Sequence, residues 1–261
     1  GETKAVIETY EDRIEGLDEE SLGHGPFRGV PFLMKDVFGH EQGRLIEFGS
    51  RLCRGMTVTT STYFTDQLKA AGVNILGRTA APEYSMSATT ESTMFGNTSN
   101  AWKKGDSAGG SSGGAQSAVT RGMVPIAHGS DIGGSIRIPA SWCGGVGLKP
   151  SRGRVSIGPV ADEGGLGFSA NHIQAKTLRD AATMLDWVSK PQIGDPFVIP
   201  RPTQSFASYV NAPTPRLKIG IVLTELFGAA VDAEVAQAVK DTGKMLESMG
   251  HHVEQAEADF G

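Results

Sequence analysis

The apolar positions of this 261-residue chain switch repeatedly between two spacings, and the switches predict its elements. Residues 30–38 form a near-continuous apolar run interrupted by Lys35-Asp36, the pattern of a buried strand that ends at a site. From residue 63 to 71, Phe64, Leu68 and Ala71 share one helical stripe, and Gly72 stops it. Residues 73–77 then read as a strand. The helix–strand order recurs in a predicted helix over 115–121, stopped at Gly122, and a buried strand over 123–127. Thr177 opens a further helix, with Asp180 three residues on and a stripe of Leu178, Ala181, Leu185 and Val188. Residues 5–10 are ambiguous between a strand and a helix entry, and 11–29 read as a short helix and a loop.

Prolines 191, 196, 200, 202, 213 and 215 mark a linker-like stretch. Beyond it, 217–222 predicts a strand, and Val235, Ala238, Val239, Leu246 and Met249 lie along a long amphipathic helix ended by Gly250. His251-His252-Val253 opens another strand. Helices alternating with strands predict an α/β protein whose largely parallel or mixed sheet is covered by helices on both faces.

Composition narrows the function classes. A hydrophobic content of 39% with 20% charged residues describes an ordinary soluble globular chain. Its 35 glycines fall disproportionately within 105–167 without a repeat period, which points to tight turns around a site. A net charge of -5 and the lack of a long basic run argue against a nucleic-acid partner. Cys53 and Cys143 have no metal-ligand or redox spacing and read as reduced thiols of a cytoplasmic-type protein. No apolar run approaches the ~18 residues needed to span a bilayer. The chain opens Gly1-Glu2-Thr3 without a methionine, which leaves processing at its start open.

Candidate chemistry sits in two glycine-rich turns. Gly109-Gly110-Ser111-Ser112-Gly113-Gly114 precedes Gly133-Gly134-Ser135, and Ser111 and Ser135 are 24 residues apart (135 − 111). The first turn alone fits a nucleophile elbow, a flexible linker or a phosphate loop, although G-x-x-x-x-G-K-[ST] is absent. In the second turn, backbone N–H groups of Ile132, Gly133 and Gly134 converge beside Ser135, as an oxyanion hole requires. Lys35 leaves an apolar segment, where burial would lower its pKa enough for base chemistry; the plain alternative is a surface lysine or a pair with Asp36. Asp131 and Arg137 read as braces of the turn, Ser112 and Ser130 as local hydrogen-bonders, and His128 and Cys143 as core residues. Trp102 and Trp142 read as packing residues.

Taken together, 29–36, 83–92, 109–114, 129–139 and 143–150 resemble the amidase signature family in both motif and order. The resemblance implies the mixed twisted sheet of the amidase-signature fold and a triad of nucleophile Ser135, bridging Ser111 (usually preceded by a cis peptide) and buried base Lys35. It also implies an oxyanion hole at Ile132, Gly133 and Gly134, substrate contact near Met86 and Ser112, and no metal or cofactor. The reaction implied is cleavage of amide, or carbamate, C–N bonds in small molecules through an acyl-enzyme.

Residues 152–160 resemble the branch that includes nylon-oligomer hydrolases, aryl acylamidases and urethane-cleaving enzymes. The alternative is an amidotransferase of the A type, working with glutaminase and tRNA-binding partners, against which Ile138 stands where those chains carry Gln. Homodimerisation is left open. Gly77-Arg78-Thr79 replaces the family's Gly-Lys-Thr, a change expected to matter little. Because family members are commonly longer, the chain is expected to be one domain over 1–261 lacking a C-terminal portion.

Overall fold

A computed structural model describes residues 2–17, 19–223 and 230–257. The contacts divide the chain into two compact units, Gly1–Val210 and Asn211–Gly261, where the sequence reads as one domain. The boundary falls inside the proline-bearing stretch, whose residues have few ladder hydrogen bonds to offer.

In the first unit the chain runs β1 (Val6–Thr9), α1 (Glu11–Glu15), β2 (Pro31–Lys35), α2 (Tyr63–Ala70) and β3 (Asn74–Thr79). A hairpin of β4 (Glu91–Ser92) and β5 (Gly96–Asn97) leads to α3 (Gly113–Thr120) and β6 (Ile126–Asp131). Then follow α4 (Arg137–Cys143), β7 (Val146–Gly147), β8 (Ala170–Ala175), α5 (Leu178–Val188) and α6 (Phe206–Tyr209). The main sheet has the order β1-β3-β2-β6-β8-β7. Its centre is parallel, β3 with β2 and β2 with β6, while β1, β8 and β7 join antiparallel, so the sheet is mixed as expected.

Strand periodicity divides the core in two. Phe32 and Met34 of β2 pack with Ile126, Ile173, Phe64, Leu68, Met184, Leu185 and Val188, beneath α2 and α5. Leu33 points the other way, to Ala115, Ala118 and Val119 of α3 with Ala5 and Ala127. The small residues of α3 let that helix lie close on the sheet, which brings its first turn beside the C-terminal ends of β2 and β6. Thr62 caps α2 and Thr177 caps α5, each side chain accepting an N–H from the third residue on.

Three elements depart from the sequence pattern. The strand expected over 123–127 begins later and runs on through His128, Gly129, Ser130 and Asp131. All six residues of β6 are buried, and its polar half pairs with β8. β8 itself, Ala-Asn-His-Ile-Gln-Ala, is not anticipated by periodicity, because its buried polar residues hide the apolar signal of a central strand. α4 occupies residues that read as part of a turn; Pro139 sits in its first turn, where a missing N–H is tolerated.

The second unit is a β-α-β element: β9 (Lys218–Ile221) and β10 (His252–Gln255) pair in parallel, joined through α7 (Ala233–Ser248). In the first unit, Phe64 is fully buried between α2 and the sheet. Phe64→Ala is expected to lower unfolding stability by ~3–5 kcal/mol in urea titrations; a change below about 1 kcal/mol would contradict this account of the core.

Candidate active site

β2 delivers a lysine into the protein interior. Lys35 lies two residues after Leu33, on the α3 side of the sheet, and is fully buried. Its Nζ is 2.8 Å from Ser111 Oγ and 2.9 Å from Ser130 Oγ. Burial lowers its pKa to about 7, and the nearby Asp131 carboxylate opposes that shift. A substantial fraction of the amine is therefore neutral near pH 7.

The first glycine-rich turn holds Ser111 against it. The Gly110–Ser111 peptide is cis, and a Cβ on Gly110 would stand 2.5 Å from the Thr89 carbonyl oxygen, so no larger residue fits there. Thr90 Oγ1 donates to the Gly109 carbonyl at 2.8 Å and accepts the Gly113 N–H at 3.0 Å, clamping both sides of the turn. Ser111 is fully buried.

Ser112 is also fully buried. Its hydroxyl donates to the Ser130 carbonyl and accepts the Ser130 N–H, both at 3.3 Å, while its own N–H donates to the Ser135 carbonyl at 3.2 Å. A hydroxyl so enclosed ties the two turns together, the local hydrogen-bonding expected of Ser112. Met86, by contrast, is 84% exposed just after the 3-10 turn Glu83–Ser85.

The second turn is wound around Asp131. Its carboxylate accepts the N–H groups of Gly134 at 2.7 Å and Ile136 at 3.1 Å, and Arg137 Nε and Nη2 at 3.0 Å each. Although burial opposes ionisation, Arg137 and these N–H donors keep the Asp131 pKa below its ordinary value. The bracing role expected of this pair is thus what the geometry displays. Gly134 has its N–H committed to Asp131, whereas Ile132 and Gly133 are exposed and Ser135 is half-buried. The structure therefore brings Lys35 and Ser111 into direct contact. It links Ser135 to Ser112 through its carbonyl; among the described residues, the Ser135 hydroxyl makes no hydrogen bond to Lys35 or Ser111.

Two contributors are not legible in the sequence. Ser130 reads there as a local hydrogen-bonder, yet its hydroxyl is the second oxygen on the Lys35 amine. Only the extension of β6 to Asp131 aims it there. The replacement of the family's Lys by Arg78 is expected from the sequence to matter little, and the sequence does not disclose the ionic cluster that Arg78 gathers. Nearly fully buried, it binds Glu8 and Asp36 at short range and Glu47 at 2.9 Å. Asp36 also accepts the N–H groups of Glu47 and Gly49, each at 2.8 Å. Burial nevertheless pushes the Asp36 pKa upward, with Arg78 opposing it. The plain alternative of a Lys35–Asp36 pair gives way, because Arg78 holds the carboxylate. The available signal is a charged residue embedded in an otherwise apolar strand pattern.

Among the described residues no group of three or more His, Cys, Asp or Glu side chains is placed to hold a metal ion. Cys143 is buried, and Trp102 Nε1 donates to its carbonyl at 2.8 Å; Trp102 and Trp142 are nonetheless 75% and 50% exposed, so neither is the packed residue the sequence suggests.

The site is thus a buried lysine joined to two serine hydroxyls beside a glycine-rich turn. The sequence pattern of the amidase family matches residues 4–259, and the chain belongs to the amidase signature family. It is 39% identical over 243 residues to the 6-aminohexanoate-cyclic-dimer hydrolase of Paenarthrobacter ureafaciens, covering 91% of this chain and 49% of that protein. A solved structure of 6-aminohexanoate cyclic dimer hydrolase complexed with substrate superposes with a TM-score of 0.91 at 36% identity, over 98% of this chain and 54% of that one. The A-type chain of the glutamyl-tRNA(Gln) amidotransferase from Thermotoga maritima gives a TM-score of 0.85 at 32% identity, with the same coverages of 98% and 54%. The chain thus spans about half the length of these relatives.

Arg78→Lys is expected to cost ~3 kcal/mol in urea unfolding, since one ammonium cannot serve three carboxylates and leaves a buried charge unpaired. A stability equal to wild type would refute the hub role. Lys35 gives a pH signature of opposite kind. Between about 7 and the ordinary lysine value of 10.5 the unfolded chain binds the proton that the folded chain refuses, so stability rises with pH across that window. Unfolding measured at several pH values is expected to show wild type gaining on Lys35→Met with a slope approaching ~1.4 kcal/mol per pH unit; parallel curves would contradict a desolvated amine.

Proposed function

We propose that this chain carries the triad of a serine-dependent amidase, with Ser135 as nucleophile, Ser111 as proton bridge and Lys35 as base. The observation that carries the reading is the buried Lys35 amine, 2.8 Å from the Ser111 hydroxyl, with its pKa lowered to about 7. A neutral amine takes the Ser111 proton while Ser111 takes the Ser135 proton, and Ser135 Oγ bonds to the amide carbonyl carbon. The oxyanion would be met by the exposed N–H groups of Ile132 and Gly133; Gly134 would have to share its N–H with Asp131. Each such donor is worth ~3–4 kcal/mol at the transition state. Collapse expels the amine, which recovers the proton by the same route, and water then cleaves the acyl ester to free Ser135.

The substrates fitting this chemistry are small amides. Carbamates present the same carbonyl and nitrogen leaving group, so urethane cleavage is a natural specialisation. The similarity to a cyclic-dimer hydrolase favours a short aliphatic amide over a polymer. A second reading, an amidotransferase component working with partner chains, draws on the likeness to the Thermotoga protein. Ile138 weighs against it, and hydrolysis of an anilide by the purified chain alone would remove it as the sole role. No helix among the described residues is long and apolar enough to cross a membrane.

Assayed against anilides, aliphatic amides and carbamates, Ser135→Ala is expected to lose at least about a thousandfold in kcat. Wild-type turnover in that variant would overturn the assignment. The kcat/KM of the unsubstituted chain is expected to be flat above pH 7 and to fall about tenfold per unit below it as Lys35 gains its proton. A flat profile down to about pH 4 would exclude Lys35 as the base.

A further inference from the structure

His128 takes no part in the proton route above, yet it touches the base. The β2–β6 ladder ends at the pair Leu33–Ala127, and where it gives out the Lys35 backbone N–H donates to His128 Nδ1 at 3.3 Å. On the far side of the ring, His128 Nε2 is 3.3 Å from Asn171 Oδ1. A backbone N–H can only donate, which sets the polarity of the whole chain. Nδ1 must accept and carry no proton, so the proton resides on Nε2 and is donated to Asn171.

The surroundings favour this single state. His128 is fully buried, its ring lies 5.0 Å from that of Phe64, and Asn171 is 1% exposed. A Cβ on Gly39 would come within 2.7 Å of Nδ1, so the glycine there makes room for the imidazole. The titratable groups facing the ring are Lys35, His40 and His172; with burial as the main cause, they lower its pKa to about 3. A second cation beside Lys35 is thereby excluded at working pH.

We propose that His128, held by Asn171 as its neutral Nε2-protonated tautomer, is a positioning residue for Lys35, its Nδ1 fixing the strand so that the amine stays between Ser111 and Ser130. This rests on the reading of Lys35 as the base. Protonation of the ring would turn Nδ1 into a donor facing another donor and break the bond. The arrangement therefore works only while the imidazole is neutral.

The test begins on the unsubstituted chain, with imidazole 15N NMR between about pH 5 and 8, the range in which an ordinary histidine titrates. The expected spectrum has His128 protonated at Nε2 and bare at Nδ1 throughout; a protonated Nδ1 would overturn the proposal whether or not the chain hydrolyses amides. Kinetics of His128→Leu and His128→Asn follow, because the Asn side-chain oxygen can replace Nδ1 as acceptor. His128→Leu is expected to lose about tenfold or more in kcat with KM within about twofold, and His128→Asn to recover most of that loss. Equal losses in the two variants, or wild-type kcat in His128→Leu, would refute it. In Asn171→Asp the new carboxylate favours the imidazolium, so the acid limb of kcat is expected to steepen and move to higher pH, with activity restored in alkali. An unchanged limb, with NMR showing that the ring has titrated, would also refute it. If the variants fail to fold, the 15N spectrum alone decides. An absence of any turnover in the unsubstituted chain would instead count against the proposed function and leave the tautomer measurement standing.

Discussion

The desolvation of one amine governs the rest of this site. A lysine in water is a cation at neutral pH and no base at all. Here β2 carries Lys35 out of water, and burial outweighs the attraction of Asp131, which would otherwise hold the proton. That balance depends on how completely Asp131 is engaged elsewhere. Its carboxylate is spent on Arg137 and on the N–H groups of Gly134 and Ile136, so the turn is braced and the lysine is left with two neutral hydroxyls. The same carboxylate that shapes the second turn is thus prevented from making Lys35 an ordinary ion-paired lysine.

A second carboxylate presents the same hazard even closer along the chain. Asp36 follows Lys35 directly, and strand alternation alone would not keep the two charges apart at a strand end. Arg78, one strand over on β3, captures Asp36 together with Glu8 and Glu47. A single guanidinium with its five donors in a fixed fork can do this; a lysine in its place has three donors on one point charge. The arginine departure from the family's Gly-Lys-Thr is therefore matched by the carboxylates gathered around it. It separates the ionic cluster around Asp36 from the neutral cluster around the Lys35 amine.

The parts of the fold legible in the sequence are those where one side chain in two or three is apolar and buried. β2, α2, β3 and α5 follow that rule and appear within a few residues of their expected bounds; α7 also appears near its expected bounds, though Gly243 is its one buried residue. The rule fails where the interior itself is polar. The second half of β6 and most of β8 place His128, Ser130, Asp131, Asn171, His172 and Gln174 in the interior, and to a periodicity argument such a strand looks like a loop. Several of those residues also lie nearest the Lys35 amine, so hydrophobic pattern is least informative where the candidate site lies. Lys35, Ser111 and Ser135 stand out in the sequence by a different signal, glycine density and motif order. That signal marks backbone turns and cannot report which side chains from a neighbouring strand, such as Ser130, complete them.

Burial also separates the two serines that the glycine turns make look alike. Ser111 is enclosed, with Lys35 on its hydroxyl and the backbone of Thr89 against the preceding glycine. A hydroxyl in that position has a proton partner but no approach for a carbonyl carbon, whose attack needs an open trajectory of about 3 Å. Ser135 has the converse: a half-buried position beside exposed Ile132 and Gly133, and no hydrogen bond to the lysine. Neither serine alone combines access with a base. In the proposed relay the nucleophile reaches the lysine only through the buried hydroxyl, which makes the Gly-x-Ser-x-Gly serine of the first turn the bridge and leaves attack to the serine of the second. Ser112 ties the two turns together at Ser130 and Ser135.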